Sequence, residues 1–337
     1  MAEYDPAIPV RIVLSGKFRR YSHLSKLQHI TIPSVVFPNI RDVFLVLGGV
    51  VQSFFRLLFW RPKVVFLKGG YVCLPVGVAA WLLNIPIVIH DSDAHPGLTN
   101  RLLAPLAKRI ATGVSLDHYN YPSKKSAYIG IPIDSKYKQL TPTQREAVKK
   151  TLGFDSRRPL TVFIGGGLGA RQVNDTVMRH RKELQQLTNV VLISGTAHYD
   201  ELREQVPKND KHFRLEAFMS HGLPQLLGAA DIVVTRAGAT ALLELAALAR
   251  PTIVIPSKRL IWQVKHAHLY VDMQAVYPLD EDKFEEPGDK SLVAAIQRVL
   301  NDASLRETLS KNLHRLARPN AARDLAATIM SVTRKRR

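Results

Sequence analysis

Short apolar runs, each followed by a loop and a helix-like segment, recur along most of this 337-residue chain. Apolar runs of this kind, bounded by turn residues, are typical of strands that are buried on both faces of a parallel sheet. Strands that alternate with helices predict an α/β fold with doubly wound, Rossmann-like parallel sheets. The predicted strands of the first half are Val10–Leu14, Val64–Leu67, Pro86–His90, Ile110–Gly113 and Ala127–Pro132. Those of the second half are Leu160–Ile164, Val190–Ser194, Phe213–Ala217, Ile232–Thr235 and Thr252–Ile255.

A polar stretch from Asp134 to Arg158 interrupts this alternation and separates two halves. The length suits two domains of ordinary size, each large enough to bury its own core. We therefore predict a first domain over residues 1–134 and a second over residues 135–319. Helices are predicted near residues 290–301, 303–317 and 320–334, and the last of these is a candidate to pack back on the first domain.

A long apolar segment, residues 43–60, is nearly long enough to span a bilayer, although Gln52, Ser53 and Arg56 interrupt it. A helix in the core of a domain explains this composition. Alternatively, the end of the segment presents an apolar patch, flanked by basic residues, to the anionic head groups of a membrane. The residues of that patch are Phe54, Phe55, Leu58, Phe59 and Trp60. The segment alone leaves both interpretations open.

Basic residues dominate the charge of the chain: 47 Lys and Arg stand against 28 Asp and Glu, for a formal net charge of +19. Such an excess implies an anionic partner, either nucleic acid, an acidic membrane face or a phosphorylated substrate. Nucleic acid ranks lowest, because RNA-binding motifs and zinc-ligand spacings are absent from the sequence. The one cysteine, Cys73, rules out a disulfide within the chain and fits a reducing compartment. The first residues lack the charged start and apolar core of a signal peptide.

The loop from Gly165 to Ala170 follows a predicted strand and opens a predicted helix, and it matches the dinucleotide fingerprint G-x-G-x-x-G/A. The match is weak, because any close approach of a backbone to a phosphate favours the same glycines. A nicotinamide site also needs an acidic residue at the end of the next strand, and Ser194-Gly-Thr-Ala197 has none. We therefore predict a phosphate-facing loop without a nicotinamide cofactor.

The segment from Arg236 to Glu244 connects two predicted strands through a small-residue loop and the start of a helix. Free backbone N–H groups and the positive end of the helix dipole suit a phosphate there. Glu244, one turn into the helix, is placed to accept hydrogen bonds from ribose hydroxyls. An ordinary strand-to-helix turn with a solvated glutamate explains the same pattern.

Two further loops follow predicted strands at the edge where open α/β sheets bind their ligands. In His90-Asp-Ser-Asp93, either aspartate can accept a proton from a nucleophilic hydroxyl, although helix capping and a core histidine explain the same residues. In the loop after Ile255, Gln263 can hydrogen-bond sugar hydroxyls and Trp262 can stack on a ring face. An exposed helix start is the alternative for that loop.

Taken together and in this order, these loops resemble the MurG-type glycosyltransferases, from about Ser15 to the end of the chain. The order and spacing of the motifs are specific, although no single motif is decisive. The motifs are Lys68-Gly-Gly-Tyr-Val72, His90-Asp-Ser-Asp-Ala-His-Pro-Gly-Leu-Thr-Asn100, Gly130-Ile-Pro132, Gly165-Gly-Gly-Leu-Gly-Ala170, Arg236-Ala-Gly-Ala239 with Glu244, and Pro256 followed by Gln263. The resemblance implies two doubly wound domains in the GT-B arrangement.

The resemblance also implies an inverting transfer of N-acetylglucosamine from UDP-N-acetylglucosamine to the 4-hydroxyl of the muramoyl sugar of undecaprenyl-linked lipid I. The product would be lipid II for peptidoglycan. No cofactor and no obligatory metal are implied. The expected partners are UDP-N-acetylglucosamine, lipid I (undecaprenyl-diphospho-muramoylpentapeptide) and an anionic membrane surface, on the cytoplasmic face of the cell membrane.

By the same resemblance the second domain binds the donor and the first binds lipid I. Asp91 matches an acidic position proposed to aid deprotonation of the acceptor, and Asp93 matches a polar position near the sugar. Glu244 is expected on the ribose hydroxyls, Met219 at the uracil and Gln263 on the sugar. The residues expected at the diphosphate are Gly165, Gly166, Gly167 and Gly169, with Ala239, Thr240 and Ala241 at the phosphates and ribose.

The sequence departs from the family pattern at several positions. The family opens with a strand and a glycine-rich loop ending in histidine, which is not found here, so the chain is expected to begin inside the first domain. Gly167 and Leu168 stand where Ser-Gln is usual, and Ile131 where Asn precedes Pro. Asp134 stands where Arg is frequent and would put a negative charge near the diphosphate. Two alternatives stay open: a non-catalytic UDP-sugar-binding protein, and another sugar-nucleotide enzyme such as an epimerase.

Overall fold

The computed structural model describes residues 7–17, 32–166, 170–207 and 210–333. The chain divides into two compact units. Unit 1 contains the residues up to Gly130 and those from Arg323 onward, and unit 2 runs from Ile131 to Ala322. The division falls four residues before the predicted boundary, at Gly130, which has a φ of +89°.

Unit 1 is built on a parallel sheet with the strand order β1-β2-β3-β4. Its elements, in chain order, are α1 (Pro33–Trp60), β1 (Val65–Leu67), α2 (Cys73–Leu82), β2 (Ile87–Asp91), α3 (Leu98–Leu103), β3 (Arg109–Thr112) and β4 (Ser126–Tyr128). All five residues of β2 are buried, as expected of a strand covered on both faces. α3 ends at Leu103, shortly before Pro105, because proline cannot donate the next helical hydrogen bond.

The predicted strand Val10–Leu14 is wrong, because residues 7–17 contain no strand. Side chains of α1 bind the backbone of this segment instead. The N–H of Leu14 donates to the side-chain oxygen of Gln52 at 2.8 Å, and Arg56 donates to the carbonyl of Ile12. The polar residues that interrupt the apolar segment therefore supply the hydrogen bonds that a neighbouring strand would otherwise supply.

The helix predicted over residues 43–60 begins ten residues earlier, at Pro33, and ends at Trp60. The capping residue Arg61 adopts a left-handed conformation with φ +46°. One face of this helix packs against the rest of unit 1. The buried positions follow a spacing of seven and then four: Val35, Asp42, Gly49, Ser53 and Leu57. Much of the opposite face is apolar and exposed, and its large side chains are Phe37, Ile40, Val43, Phe44, Leu47, Val51, Phe55, Phe59 and Trp60.

Unit 2 is built on a second parallel sheet, with the strand order β10-β9-β8-β5-β6-β7. Its first elements are α4 (Pro142–Thr151), β5 (Leu160–Ile164), α5 (Arg171–Arg179), α6 (Arg181–Leu187), β6 (Asn189–Ile193), α7 (Tyr199–Arg203), β7 (Phe213–Glu216) and α8 (Leu223–Ala229). They are followed by β8 (Ile232–Thr235), α9 (Ala239–Leu248), β9 (Thr252–Val254), α10 (Ile261–Asp272), β10 (Tyr277–Pro278), α11 (Ser291–Asn301) and α12 (Ala303–His314). The last helix, α13 (Ala321–Ser331), crosses the boundary between the units.

Alternate residues of the central strand β5 enter two separate cores, one on each face of the sheet. Val162 packs in a cluster with Leu242 of α9, whereas Phe163 packs in a cluster with Val173 of α5. A parallel sheet that is covered by helices on both faces is the predicted α/β architecture, and this prediction is confirmed.

The strand order of unit 2 reverses between β5 and β8, which are hydrogen-bonded neighbours. Open α/β sheets bind their ligands in the crevice at such a reversal, beyond the carboxyl ends of the strands. Ile164 at the end of β5 pairs with Thr235 at the end of β8, so the two following loops leave the sheet side by side. These are the loops that begin at Gly165 and at Arg236.

Candidate active site

The loop after β5 enters the crevice of unit 2 through two glycines. Gly166 has a φ of +88°, a left-handed conformation that glycine adopts without strain. Among the residues that the structure describes, none has an atom within 4 Å of a Cβ built at Gly166, so on that side the backbone is open to a ligand. Gly165 and Gly166 therefore lie where the phosphate loop was predicted, whereas Gly167 and Gly169 fall outside the described residues.

The loop after β8 leads directly into the N-terminus of α9. Gly238 occupies the capping position and has no side chain that could cap the helix. The first backbone N–H groups of a helix have no partner within it, so those of Ala239, Thr240 and Ala241 are available to an anion. These three residues are the ones predicted at the phosphates, and they lie beside the β5 loop at the strand-order reversal.

Glu244, on the second turn of α9, is half-buried and accepts a hydrogen bond from the hydroxyl of Tyr137. Burial raises the pKa of Glu244 to about 7, the negative charge of Asp134 adds to the rise, and the Tyr137 hydrogen bond opposes it. Burial and the charge of Glu244 in turn raise the pKa of Tyr137. Glu244 is therefore a carboxyl group that titrates near neutral pH, not a solvated surface glutamate.

The side chain of Arg236, at the start of the loop after β8, makes its contacts within the protein. Its guanidinium forms a buried ion pair with Glu281 and donates to the carbonyl of Ile255 at 3.0 Å. The other carboxylate oxygen of Glu281 accepts the backbone N–H of Lys258 at 2.7 Å. Nδ1 of the buried His266 lies 3.2 Å from the carbonyl of Ala237. These contacts connect the loops after β8 and β9, so the loop backbone is fixed before a ligand arrives.

Gln263 lies on the first turn of α10, just after the loop that follows β9, and Met219 lies on the loop that follows β7. The side-chain oxygen of Gln263 accepts the N–H of Ser257 at 3.0 Å, so its NH₂ group is the part that can donate to a sugar hydroxyl. Met219 is half-buried and packs against the cluster that contains Leu242. The exposed ring of Phe218 precedes it. Their predicted contacts with the sugar and the uracil stay predictions.

Asp91 ends strand β2 of unit 1 and is 3% exposed. Its Oδ2 accepts the hydroxyl of Tyr121 at 2.8 Å, and the side chain of Asn100 and the N–H of Asp93 also donate to it. Burial raises the pKa of Asp91 to about 6, in spite of these donors. Asp91 is therefore ionised at neutral pH and more basic than an ordinary aspartate, which suits a proton acceptor.

His90 and Asp93 flank Asp91 in different environments. His90 is fully buried, with Nε2 2.8 Å from the carbonyl of Gly130 and Nδ1 3.2 Å from the hydroxyl of Ser92. Nε2 must donate to the carbonyl, which can only accept, and the Ser92 hydroxyl is a partner for Nδ1, so both ring nitrogens are satisfied. Burial lowers the pKa of His90, which favours the neutral ring. Asp93 is exposed, and its carbonyl accepts the hydroxyl of Tyr119 at 2.6 Å.

Three tyrosines at these sites were not found from the sequence. Tyr119 and Tyr121 stack with 5.4 Å between their ring centroids, and they hold the two predicted aspartates from a loop outside every quoted motif. Tyr137 lies in the polar linker, three residues after Asp134. The alternation Tyr119-Asn-Tyr121 places both rings on one side of an extended chain and was the available signal. In the part of the chain that the structure describes, no group of three or more His, Cys, Asp or Glu side chains could hold a metal ion.

Comparison with known proteins gives a consistent result for both units. Residues 7–112 match the glycosyltransferase family 28 N-terminal domain, and residues 161–328 match the glycosyltransferase family 28 C-terminal domain. The solved structure of MurG from Acinetobacter baumannii is 20% identical and covers 86% of this chain and 79% of its own, with a TM-score of 0.66. That similarity supports the fold.

Two curated relatives carry the same name, UDP-N-acetylglucosamine–N-acetylmuramyl-(pentapeptide) pyrophosphoryl-undecaprenol N-acetylglucosamine transferase. The one from Bacillus cereus, numbered 2, is 32% identical over 249 residues, which are 74% of this chain. The chain spans only about 65% of the length of that relative. The one from Geobacillus thermodenitrificans is 30% identical over 330 residues, which are 97% of this chain and 85% of the relative. The chain therefore belongs to glycosyltransferase family 28, in the group of these MurG-type transferases.

Proposed function

We propose that this chain transfers N-acetylglucosamine from UDP-N-acetylglucosamine to the 4-hydroxyl of the muramoyl sugar of lipid I, with inversion, to give lipid II. One observation carries the proposal. A phosphate-facing loop, an uncapped helix N-terminus and a half-buried carboxyl group converge at the strand-order reversal of unit 2, in a chain of family 28. These are the features that a nucleotide diphosphate and its ribose need.

The donor half of the reaction uses the backbone of unit 2. In this proposal the N–H groups of Ala239, Thr240 and Ala241 and the dipole of α9 stabilise the negative charge that develops on departing UDP. Glu244 accepts hydrogen bonds from the ribose hydroxyls, and the NH₂ group of Gln263 donates to the sugar. The loops are held in place by internal contacts, so the donors need little reorganisation during the reaction.

The acceptor half of the reaction uses the end of β2. The 4-hydroxyl oxygen forms a bond to the anomeric carbon from the face opposite the diphosphate, and the bond from that carbon to the phosphate oxygen breaks. The hydroxyl proton passes to the carboxylate of Asp91, and UDP leaves with the electron pair of the broken bond. Tyr121 and Asn100 orient Asp91 for this transfer, and Asp93 is a polar contact near the sugar.

The exposed face of α1 provides the membrane contact in this proposal. By length and composition α1 could cross a bilayer, but its buried positions show that one face packs against unit 1. An amphipathic helix with one packed face is suited to lie in the plane of the head groups. Exposed Arg41, Arg56, Arg61 and Lys63 would meet anionic lipids on the cytoplasmic face of the membrane.

The transfer assay tests this function directly. The purified chain is incubated with UDP-N-acetylglucosamine and a soluble lipid I analogue, and the disaccharide product is measured by mass spectrometry. We expect the disaccharide in wild type and a loss of at least about a hundredfold in rate for Asp91→Asn, which removes the proton acceptor. Asp117→Asn, at an exposed aspartate of unit 1, is the matched control and should keep the wild-type rate.

Two other outcomes of the same incubation would contradict the proposal. Conversion of UDP-N-acetylglucosamine to its 2-epimer without acceptor would indicate an epimerase. Saturable donor binding with no disaccharide and no epimer would indicate a binding protein that does not catalyse transfer.

A further inference from the structure

A cavity of about 270 Å³ lies at the edge of unit 2 opposite the candidate donor loops. Its position follows from the strands: Asp231 precedes the first residue of β8, and Pro251 precedes the first residue of β9. The donor loops follow the other ends of parallel strands in the same sheet. The cavity is therefore separate from the site described above, and no quoted motif covers it.

Three guanidinium groups line this cavity, and each of them donates to a main-chain carbonyl. Arg250 donates to the carbonyls of Leu248 at 2.9 Å and Ala230 at 3.3 Å. Arg306 donates to two carbonyls at the end of α11, one of them that of Val299 at 2.9 Å. Carbonyls fix the position of a guanidinium but leave its charge in place, so the cavity contains ordered positive charge that no carboxylate balances at these contacts.

The third guanidinium, that of Arg145, projects from α4 and already has a carboxylate partner. The carboxylate of Asp231 accepts hydrogen bonds from Arg145, from Lys149 at 2.7 Å and from the N–H of Leu160 at 2.8 Å. The capping box of Thr141 and Gln144 begins α4 and so fixes where both cations project. Asp231 is thus fully engaged within the protein.

The charge count around the cavity is positive. Among the lining residues, the three arginines stand against the two carboxylates of Asp231 and Glu307, which leaves +1. Lys149, which pairs with Asp231 at 2.7 Å, adds a further positive charge beside that carboxylate. Burial, followed by repulsion from Arg145, lowers the pKa of Arg250 to about 10. A negatively charged group in the cavity would reduce this repulsion.

We infer that this cavity is a second anion site, which takes a phosphate-sized oxyanion between Arg145, Arg250 and Arg306. Guanidinium groups bind tetrahedral oxyanions through paired N–H donors, and three of them around one small cavity match that chemistry. The oxyanion is either free inorganic phosphate or the phosphate group of a larger molecule. Binding at this edge stabilises unit 2, because α4, α12 and the turn after α9 all contact the same ion.

Thermal unfolding of the full chain in phosphate tests this inference. Inorganic phosphate is titrated against chloride at constant ionic strength, and the midpoint temperature of unfolding is followed. We expect a saturable rise in wild type and an apparent affinity at least about tenfold weaker for Arg306→Gln. Glu307→Gln removes an exposed negative charge at the cavity and should tighten binding, which a purely structural role would not predict. Arg157→Gln is the matched control, because its side chain is 92% exposed elsewhere on unit 2.

The donor site is a second place where phosphate can bind, so Arg306→Gln is also titrated with UDP. Its stabilisation by UDP should equal that of wild type, whether or not the chain proves to be a transferase. Glycerol phosphate separates the two sources: a rise with both ligands indicates a phosphate group, and a rise with inorganic phosphate alone indicates the free ion. Identical phosphate curves for wild type, Arg306→Gln and Glu307→Gln would overturn the inference.

Discussion

The protonation of Glu244 should control donor affinity near neutral pH. A ribose hydroxyl donates its hydrogen to a carboxylate, and protonation of Glu244 makes it a much weaker acceptor. The pKa of Glu244 is raised to about 7, mainly by burial, so the change in charge falls within the range of ordinary assays. We therefore expect the affinity for UDP-N-acetylglucosamine to rise between pH 6 and pH 8.

The size of the effect follows from the pKa. With a pKa of about 7, Glu244 is about nine-tenths protonated at pH 6 and about nine-tenths ionised at pH 8. If only the carboxylate accepts the ribose hydroxyls, the Kd should be about tenfold higher at pH 6 than at pH 8. UDP-N-acetylglucosamine is the right ligand, because its diphosphate is esterified at both ends and lacks the phosphate group that titrates near pH 6 in monoesters.

Two neighbouring variants should move the midpoint of this profile in opposite directions. Asp134→Asn removes a negative charge that raises the pKa of Glu244, so its midpoint should lie below that of wild type. Tyr137→Phe removes a hydrogen bond that lowers the pKa, so its midpoint should lie above. Isothermal titration calorimetry at intervals of half a pH unit measures each profile, and Glu244→Gln is the reference without a titrating group.

Two results would refute this reasoning. One is a wild-type Kd that does not change between pH 6 and pH 8. The other is a pair of midpoints that move in the same direction in Asp134→Asn and Tyr137→Phe. A profile that persists in Glu244→Gln would assign the titration to another group.

The same pKa shift makes a prediction for the protein without ligand. The folded state holds the Glu244 proton more tightly than the unfolded chain, whose reference pKa is 4.5. The stabilisation that comes from this tighter proton binding is complete when the pH is below the unfolded-state pKa of 4.5. It is lost as the pH rises to about 7. Urea unfolding of Glu244→Gln should therefore lack a decline that wild type shows over that interval.

Two further predictions concern stability and membrane binding. Asp231→Ala should lower the free energy of unfolding by about 3 kcal/mol in urea titrations at pH 7, because it leaves the buried amine of Lys149 without its carboxylate; a loss below about 0.5 kcal/mol, the range of ordinary surface changes, would contradict this. Phe44→Ser combined with Phe59→Ser should reduce flotation with vesicles of anionic lipid without changing the midpoint temperature, since both rings are exposed on α1. Equal flotation of this double variant and wild type would exclude that face as the membrane contact.

Much of the fold could be predicted because parallel strands carry a simple signal. A strand such as Ile87–Asp91 is buried on both faces, so its apolar run is visible in the sequence. Val10–Leu14 carries the same local signal but forms no strand, because whether such a run joins a sheet depends on distant residues. Gln52 and Arg56 decide it, because they bind the backbone of that segment from forty or so positions away.

In the candidate site, too, some features could be predicted from the sequence and others could not. Loop positions such as Gly166 and Ala239 follow from strand ends and glycine, which are local features of the sequence. The environment of each carboxyl group is not local. Tyr121 reaches Asp91 across 30 positions, and no spacing rule predicts that contact. The sequence could therefore name the carboxylates but not their protonation.

Asp134 shows how a residue whose charge was visible in the sequence acts on the protonation of Glu244 in the structure. From the sequence alone, it is a negative charge near a diphosphate, and it would be expected to oppose donor binding. In the structure its charge acts on Glu244, whose pKa it helps to raise. The N–H of Tyr137 donates to the carbonyl of Asp134 at 3.1 Å, so one short turn carries both the charge that raises this pKa and the hydroxyl that lowers it. Because a protonated Glu244 is a poorer acceptor for ribose hydroxyls, this turn sets the pH range in which the proposed ribose contact can form.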